Sequence, residues 1–121
     1  MRRAERTADT LKEEIAQIVG YELEDPRLTM VTVTDVRLSA DKKAARVYVT
    51  VAGDENEHKA ALAALKHAVP FVRKQLGLSL NLPRIPEIHF VRDRVEEEGQ
   101  RVDQLLQELE REWESKGKEE G

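Results

Sequence analysis

A short basic stretch around one proline holds the side chains best placed to do chemistry. Lys66, Arg73 and Lys74 lie close together in the sequence, with Pro70 between them. Proline has no N–H and its ring crowds the preceding helical turn, so we expect the helix to kink or stop here and a second short helix to begin at Pro70. The first N–H groups of a helix lack partners within it and carry partial positive charge. The stretch therefore predicts a phosphate-binding elbow.

The alternative is a packed pair of helices whose charges are only solvated, which is the commoner case for exposed charges. The charge distribution bears on this choice. The chain of 121 residues has a net charge of −4, but residues 95–121 hold ten acidic and four basic residues, whereas residues 1–94 hold 14 acidic and 16 basic residues. This asymmetry is typical of an RNA-facing domain with an acidic appendage, although an acidic tail can also serve only solubility.

Further basic residues extend the candidate surface. Arg2, Arg3 and Arg6 cluster at the start of the first predicted helix, where cations are unfavourable beside the helix dipole. A bound anion would explain them, and so would a frayed basic terminus. Arg84 and Arg92 add to the excess of basic residues that runs from the elbow to residue 94.

Enzyme chemistry has little support in the sequence. There is no cysteine, no Gly-x-x-x-x-Gly-Lys loop and no Gly-x-Ser-x-Gly turn. The three histidines, His58, His67 and His89, lack the spacing of metal ligands. We therefore expect no catalytic residue, no metal and no cofactor. The sequence also lacks a long apolar run, so we expect no membrane span and a cytoplasmic location.

The elements that must position these residues follow from hydrophobic periodicity. Residues 4–23 predict a helix, residues 28–38 and 44–52 predict two strands of an antiparallel hairpin, and residues 87–94 predict a third strand. In the first strand, strict alternation places five residues on one face: Met30, Thr32, Thr34, Val36 and Leu38.

The remaining elements are helical. The broken helix pair spans residues 55–80, with Asp54 or Asn56 as its cap and a stop at Gly77. A C-terminal helix follows the third strand, with a disordered tail from Glu114. Its apolar stripe consists of Val102, Leu105, Leu106, Leu109 and Trp113. The order predicts an α+β domain with helices on one face of a three-stranded sheet.

Several short runs in this order resemble the ribosome-binding factor A family over about residues 1–106. They are Arg6 with Glu13-Glu14-Ile15, Asp25-Pro26-Arg27-Leu28, Val31-Thr32-Val33-Thr34-Asp35-Val36 with Ser39 and Asp41, Ala45-Arg46-Val47-Tyr48-Val49, Phe71-Val72-Arg73 with Leu76-Gly77, and Pro86-Glu87-Ile88 with Phe90 and Asp93. The family is similar to type II KH domains, with the order α-β-β-α-kink-α-β, but the sequence has no Gly-x-x-Gly loop. Ala68 matches the family's kink alanine, and Pro70 replaces the glycine that usually follows.

The resemblance implies a ribosome assembly factor that is not an enzyme. Such a factor would bind the immature 30S subunit and 16S rRNA near its 5′ end, support late maturation of that rRNA, and matter most at low temperature. We expect a monomer with an RNA- and ribosome-binding domain at residues 1–94 and an acidic helix and tail at residues 95–121. The candidate binding residues are Arg2, Arg3, Arg6, Lys66, Ala68, Pro70, Arg73, Lys74, Arg84 and Arg92. The alternative function is a protein-interaction module that docks through the C-terminal amphipathic helix.

Overall fold

The computed structural model describes the backbone of residues 2–120 and the side chains of residues 7–114. The α-helices are α1 (Arg2–Gln17), α2 (Glu55–Ser79) and α3 (Arg94–Glu120), and the strands are β1 (Val31–Leu38), β2 (Ala44–Val51) and β3 (Glu87–Arg92). A π-helical turn (Ile18–Glu22) continues α1, and a 3₁₀ turn (Pro26–Leu28) precedes β1. The expected α+β fold with one three-stranded sheet is confirmed, and the structure has three α-helices.

The sheet has the order β1-β2-β3. Strand β2 pairs antiparallel with β1 and parallel with β3. The parallel pair requires a crossover, which α2 supplies. Helices α1 and α2 cover one face of the sheet, and their apolar sides and that face form one core. Its largest fully buried side chains are Leu11, Ile15, Ile18, Leu65, Leu76, Val47, Val49 and Val72.

The predicted alternation in β1 is wrong because the strand contains a β-bulge. Val33 pairs with Val49 and Asp35 pairs with Tyr48, so Thr34 is an extra residue with no partner of its own in the ladder. The bulge shifts the alternation by one residue. Val31 and Val33 therefore pack against the same core as Val36 and Leu38, instead of facing the other way.

The beginning of α2 follows its sequence signals. Asp54 caps the helix: its side chain accepts a hydrogen bond from the Glu57 N–H at 2.8 Å, and the Asp54 N–H donates to the Glu57 carboxylate at 3.3 Å. Gly53 precedes this capping box with φ +143°, and a Cβ atom there would lie 2.7 Å from Glu57 Oε2. Only glycine fits this position without displacing the cap.

The predicted break of α2 is wrong. The helix is continuous from Glu55 to Ser79 with Pro70 in its interior, and it ends two residues after the expected stop at Gly77. No second helix begins at Pro70. The cause is burial on both sides of the proline: Leu65 before it, and Val72 and Leu76 after it, are all fully buried in the same core.

Helix α3 also departs from expectation. It runs to Glu120, whereas the sequence predicted disorder from Glu114. Its apolar stripe is exposed, with fractions from 51% for Val102 to 79% for Trp113. No helix in the described part of the chain is long and apolar enough to cross a membrane.

Candidate nucleic-acid interface

The basic stretch forms a stripe along the exposed side of α2. Lys66, Pro70, Arg73 and Lys74 are all exposed and follow the i, i+4, i+7, i+8 spacing of one helix face. Ala68 is only partly exposed and lies off this line. The structure therefore brings three of the expected cations together on a single continuous helix.

Pro70 does not supply the amide donors that the sequence predicted. In a continuous α-helix the N–H groups after the proline donate to carbonyls four residues earlier. The missing N–H of Pro70 instead deprives the Lys66 carbonyl of its usual donor. A carbonyl is an acceptor and does not attract phosphate, so any anion binding at this stretch must come from the side chains.

Arg73 is partly committed to the fold. Its Nε donates to the Pro86 carbonyl at 3.2 Å, and its Nη2 donates to the Ile85 carbonyl at 3.1 Å. These bonds hold the segment before β3 against α2. A guanidinium carries five N–H donors, so Arg73 keeps donors for a further acceptor.

Arg84 lies in the segment that Arg73 holds. It is exposed and lines a shallow pocket of about 230 Å³ together with Thr7 and Leu11 of α1 and Asp41 of the β1–β2 turn. The pKa of Asp41 is lowered, chiefly because the Ser39 hydroxyl donates to it and also because Arg84 is near. The pocket borders α1, whose first turns carry Arg2, Arg3 and Arg6. The side chains of those three arginines lie outside the described residues.

Arg92 lies apart from the α2 stripe and is engaged in ion pairs. Its Nε donates to Glu97 of α3 and its Nη1 donates to Glu55 of α2, each at 2.8 Å, and its side chain is only 18% exposed. Hydrogen bonds to the two carboxylates raise the pKa of Arg92 above its usual value. Arg92 thus joins β3, α2 and α3.

His58 completes this junction. It is 7% exposed, and its Nε2 lies 3.2 Å from the Gly53 carbonyl. Its Nδ1 lies 3.5 Å from Glu97 Oε1 and has no hydrogen-bond partner among the described residues.

The start of α3 is capped by Asp93, which accepts the N–H of Glu96 at 2.9 Å.

Sequence reasoning missed Arg27, which lies in the 3₁₀ turn packed against α2. Its side chain donates to Asp25 at 2.7 Å, and this bond lowers the pKa of Asp25 to about 2. His67 of α2 is close enough to contribute to that shift. Nothing local in the run Asp25-Pro26-Arg27 indicates that this turn folds beside α2.

The arrangement can bind anions through its side chains. Within the described residues, Lys66, Lys74 and Arg84 make no hydrogen bond or ion pair, so their charges are available to a ligand. The same part of the chain contains no cluster of side chains able to hold a metal ion. Flexible cations on a helix face suit phosphate oxygens.

Comparisons with known proteins concern the chain as a whole. The family model described as ribosome-binding factor A matches residues 3–106. Ribosome-binding factor A of Solibacter usitatus is 38% identical over 119 residues, covering 98% of this chain and 94% of that protein. The Desulfitobacterium hafniense protein of the same name is 45% identical over 112 residues, covering 93% and 90%.

A crystal structure and a fitted homology model of a relative have a similar fold. The crystal structure of ribosome-binding factor A from Thermus thermophilus gives a TM-score of 0.67 at 32% identity, covering 74% of this chain and 93% of that one. A homology model of the Thermus thermophilus factor, fitted into a cryo-EM map of its complex with the 30S subunit, gives 0.61 at 34% identity, covering 72% and 91%. From the matched residues and the shared fold, the chain belongs to the ribosome-binding factor A family.

Proposed function

We propose that this protein is a ribosome assembly factor that binds the immature 30S subunit through 16S rRNA near its 5′ end. It would support late maturation of that rRNA, above all at low temperature, and act in the cytoplasm as a monomer without a catalytic step. The observation that carries the proposal is that the exposed cations Lys66, Lys74 and Arg84 make no hydrogen bond or ion pair within the described residues. Family membership and the 30S complex of the Thermus thermophilus relative support it.

The basic residues would have different roles in RNA binding, depending on the contacts that each makes within the protein. Lys66, Lys74 and Arg84 would contact phosphate oxygens directly, because they make no hydrogen bond or ion pair within the described residues. Arg73 would hold the segment of Arg84 in place and contact RNA with its remaining donors. Arg2, Arg3 and Arg6 would extend the surface past the pocket at α1.

The other candidate residues would act indirectly. Ala68 and Pro70 would shape the RNA-facing side of α2, since neither side chain carries a charge. Arg92 would hold α3 to the domain rather than bind RNA, because both of its carboxylate partners already satisfy it. We accordingly propose that residues 1–94 form a KH-like binding domain and that residues 95–121 form an acidic appendage.

The direct test is co-sedimentation with precursor 30S subunits. The double variant Lys66→Gln/Lys74→Gln removes two phosphate contacts, so the fraction bound should fall. The slope of log K against log salt concentration should become less negative by about 1.4, which is the value for two contacts to single strands. The matched control is Arg101→Gln/Arg111→Gln on α3, which removes the same charge from exposed positions elsewhere. Equal loss in both variants would reject the α2 surface and indicate general charge attraction.

A second function is favoured by one observation on α3. Five apolar side chains of its stripe are 51–79% exposed, and acidic residues surround them. Such a helix suits a basic protein segment with an apolar face. Leu105→Ser/Leu109→Ser should then weaken subunit binding at high salt as well as at low salt, because apolar docking is not screened. An unchanged affinity in this variant would reject docking through the α3 stripe.

A further inference from the structure

The face of the sheet opposite α1 and α2 carries a row of basic side chains. Arg37 of β1 pairs directly with Arg46 of β2, and Arg46 pairs directly with His89 of β3. All three residues are exposed. This cross-strand row (Arg37, Arg46 and His89) spans the full width of the sheet.

The row is electrostatically unfavourable by itself. Like charges directly opposite each other on neighbouring strands destabilise a sheet. Arg37 has a partner in Asp35 at 3.2 Å and His89 has one in Glu87 at 3.4 Å, but Arg46 has no hydrogen bond or ion pair in the described part of the chain. Arg46 therefore lies opposite Arg37 without a counter-charge of its own among the described residues, and a bound anion would complete this position.

The row borders a concave surface. An open depression of about 600 Å³ is lined by the three residues of the row together with Leu38, Ser39, Ala44 and Tyr48. None of these lining residues is acidic, but Asp35 and Glu87 lie beside the depression as partners of Arg37 and His89, so Arg46 is the charge in it that would meet an anion. A surface open on one side accommodates an extended chain.

Tyr48 adds a flat aromatic group in the centre of this surface. It lies on the middle strand, is partly exposed, and its ring centroid lies 5.8 Å from the Arg37 guanidinium carbon. Unstacked bases bind proteins by stacking on aromatic rings and on guanidinium planes. A phosphate alone would need only the cations, whereas an aromatic ring beside them suits a base attached to that phosphate.

We propose that the open sheet face is a second RNA-binding site, which takes a short single-stranded segment with a base against Tyr48 and phosphates along the cross-strand row. The site lies on the opposite side of the sheet from α2, so it is separate from the surface in the proposed function. It would let one molecule contact two RNA segments at once. Because its test uses free oligonucleotides, it can fail or succeed independently of binding to the subunit.

The experiment is an NMR titration of the ¹⁵N-labelled full chain with a short single-stranded RNA, combined with fluorescence anisotropy of the same labelled oligonucleotide. Shift changes should centre on Arg37, Arg46, Tyr48 and His89. Tyr48→Leu keeps an apolar side chain but removes the ring, so affinity should fall by at least about fivefold. Arg46→Gln should flatten the salt dependence by about 0.7 for one lost phosphate. The control Arg111→Gln should change neither quantity.

Two results would overturn the proposal. Shift changes confined to α2 and the segment of Arg84 would show that single strands bind only the first surface. Equal affinity for duplex and single-stranded RNA, unaffected by Tyr48→Leu, would show a phosphate contact without base stacking. If Tyr48→Leu fails to fold, the titration of the unmodified chain decides the question by the location of its shifts.

Discussion

Replacing Pro70 with alanine should make the protein more stable. A proline inside a helix costs about 3 kcal/mol relative to alanine, through the lost N–H and the clash with the preceding turn. Proline also restricts the unfolded chain, and removing that restriction offsets about 0.4–1 kcal/mol of the gain. Pro70 is exposed, so little packing is lost. The net expectation is a free energy of unfolding higher by about 2 kcal/mol, and a Tm higher by about 6–10 °C for a domain of this size.

Urea unfolding followed by circular dichroism measures this change through the midpoint, at constant m-value. The control is Pro83→Ala, which removes an exposed proline from outside any helix and should change stability by less than about 1 kcal/mol. The reasoning is refuted if Pro70→Ala is neutral or destabilising, because proline is favourable only at the first position of a helix. That result would support the interpretation in which α2 is broken and a second helix begins at Pro70. A more stable variant that binds 30S subunits less well would show that the proline serves binding.

The remaining predictions concern α3 and the core. Arg92→Gln should speed amide exchange in the first turns of α3, since Glu97 loses its partner, and unchanged exchange would contradict the junction. The pKa of Asp93 is lowered from 3.8, chiefly by the Thr34 hydroxyl. The ionised Asp93 therefore stabilises the fold fully above pH 3.8, and this stabilisation is lost as the pH falls through the lowered pKa. NMR during acidification from about pH 5 should show α3 fraying from its start. Deleting residues 101–121 should preserve a cooperative thermal unfolding transition, because the apolar stripe of α3 is exposed. Loss of that transition would show that the stripe belongs to the core. Leu65→Ala should cost about 2–5 kcal/mol in urea unfolding, and a smaller loss would mean that the core closes around the cavity.

The element order and most of the core could be predicted from the sequence because they depend on periodicity. Val47, Val49 and Val51 alternate with polar residues and are buried as expected. Ile88 and Phe90 behave in the same way in β3. Each strand can be identified from its own residues, without knowledge of its neighbours.

The course of α2 could not be predicted from local signals. The proline opposes a continuous helix by about 3 kcal/mol. Burying one Leu or Val side chain contributes about 1.5–3 kcal/mol, and both Val72 and Leu76 lie beyond the proline in the core. Tertiary packing therefore outweighs the local preference, and the amide-based phosphate site is lost with the break.

The candidate site was predicted in part. The cations of the α2 stripe share a face because helical spacing fixes their positions. The partners of Arg92 could not be predicted, since Glu55 lies 37 residues away and meets it only through the crossover. The cross-strand row was missed because its members come from three strands whose pairing register is not encoded in any one of them.

The bulge at Thr34 has a consequence for how this strand can change in length. Because Thr34 occupies no place in the ladder, its removal would leave Val33 and Asp35 opposite the same partners as before. Deletion of a neighbouring ladder residue would instead move the side chains of part of β1 to the opposite face of the sheet. The strand thus has one position at which a residue can be deleted without changing the pairing register of β1 with β2. Deletion of Thr34 would instead affect α3. The Thr34 hydroxyl donates to Asp93 at 2.5 Å, and loss of this hydrogen bond would loosen the start of that helix.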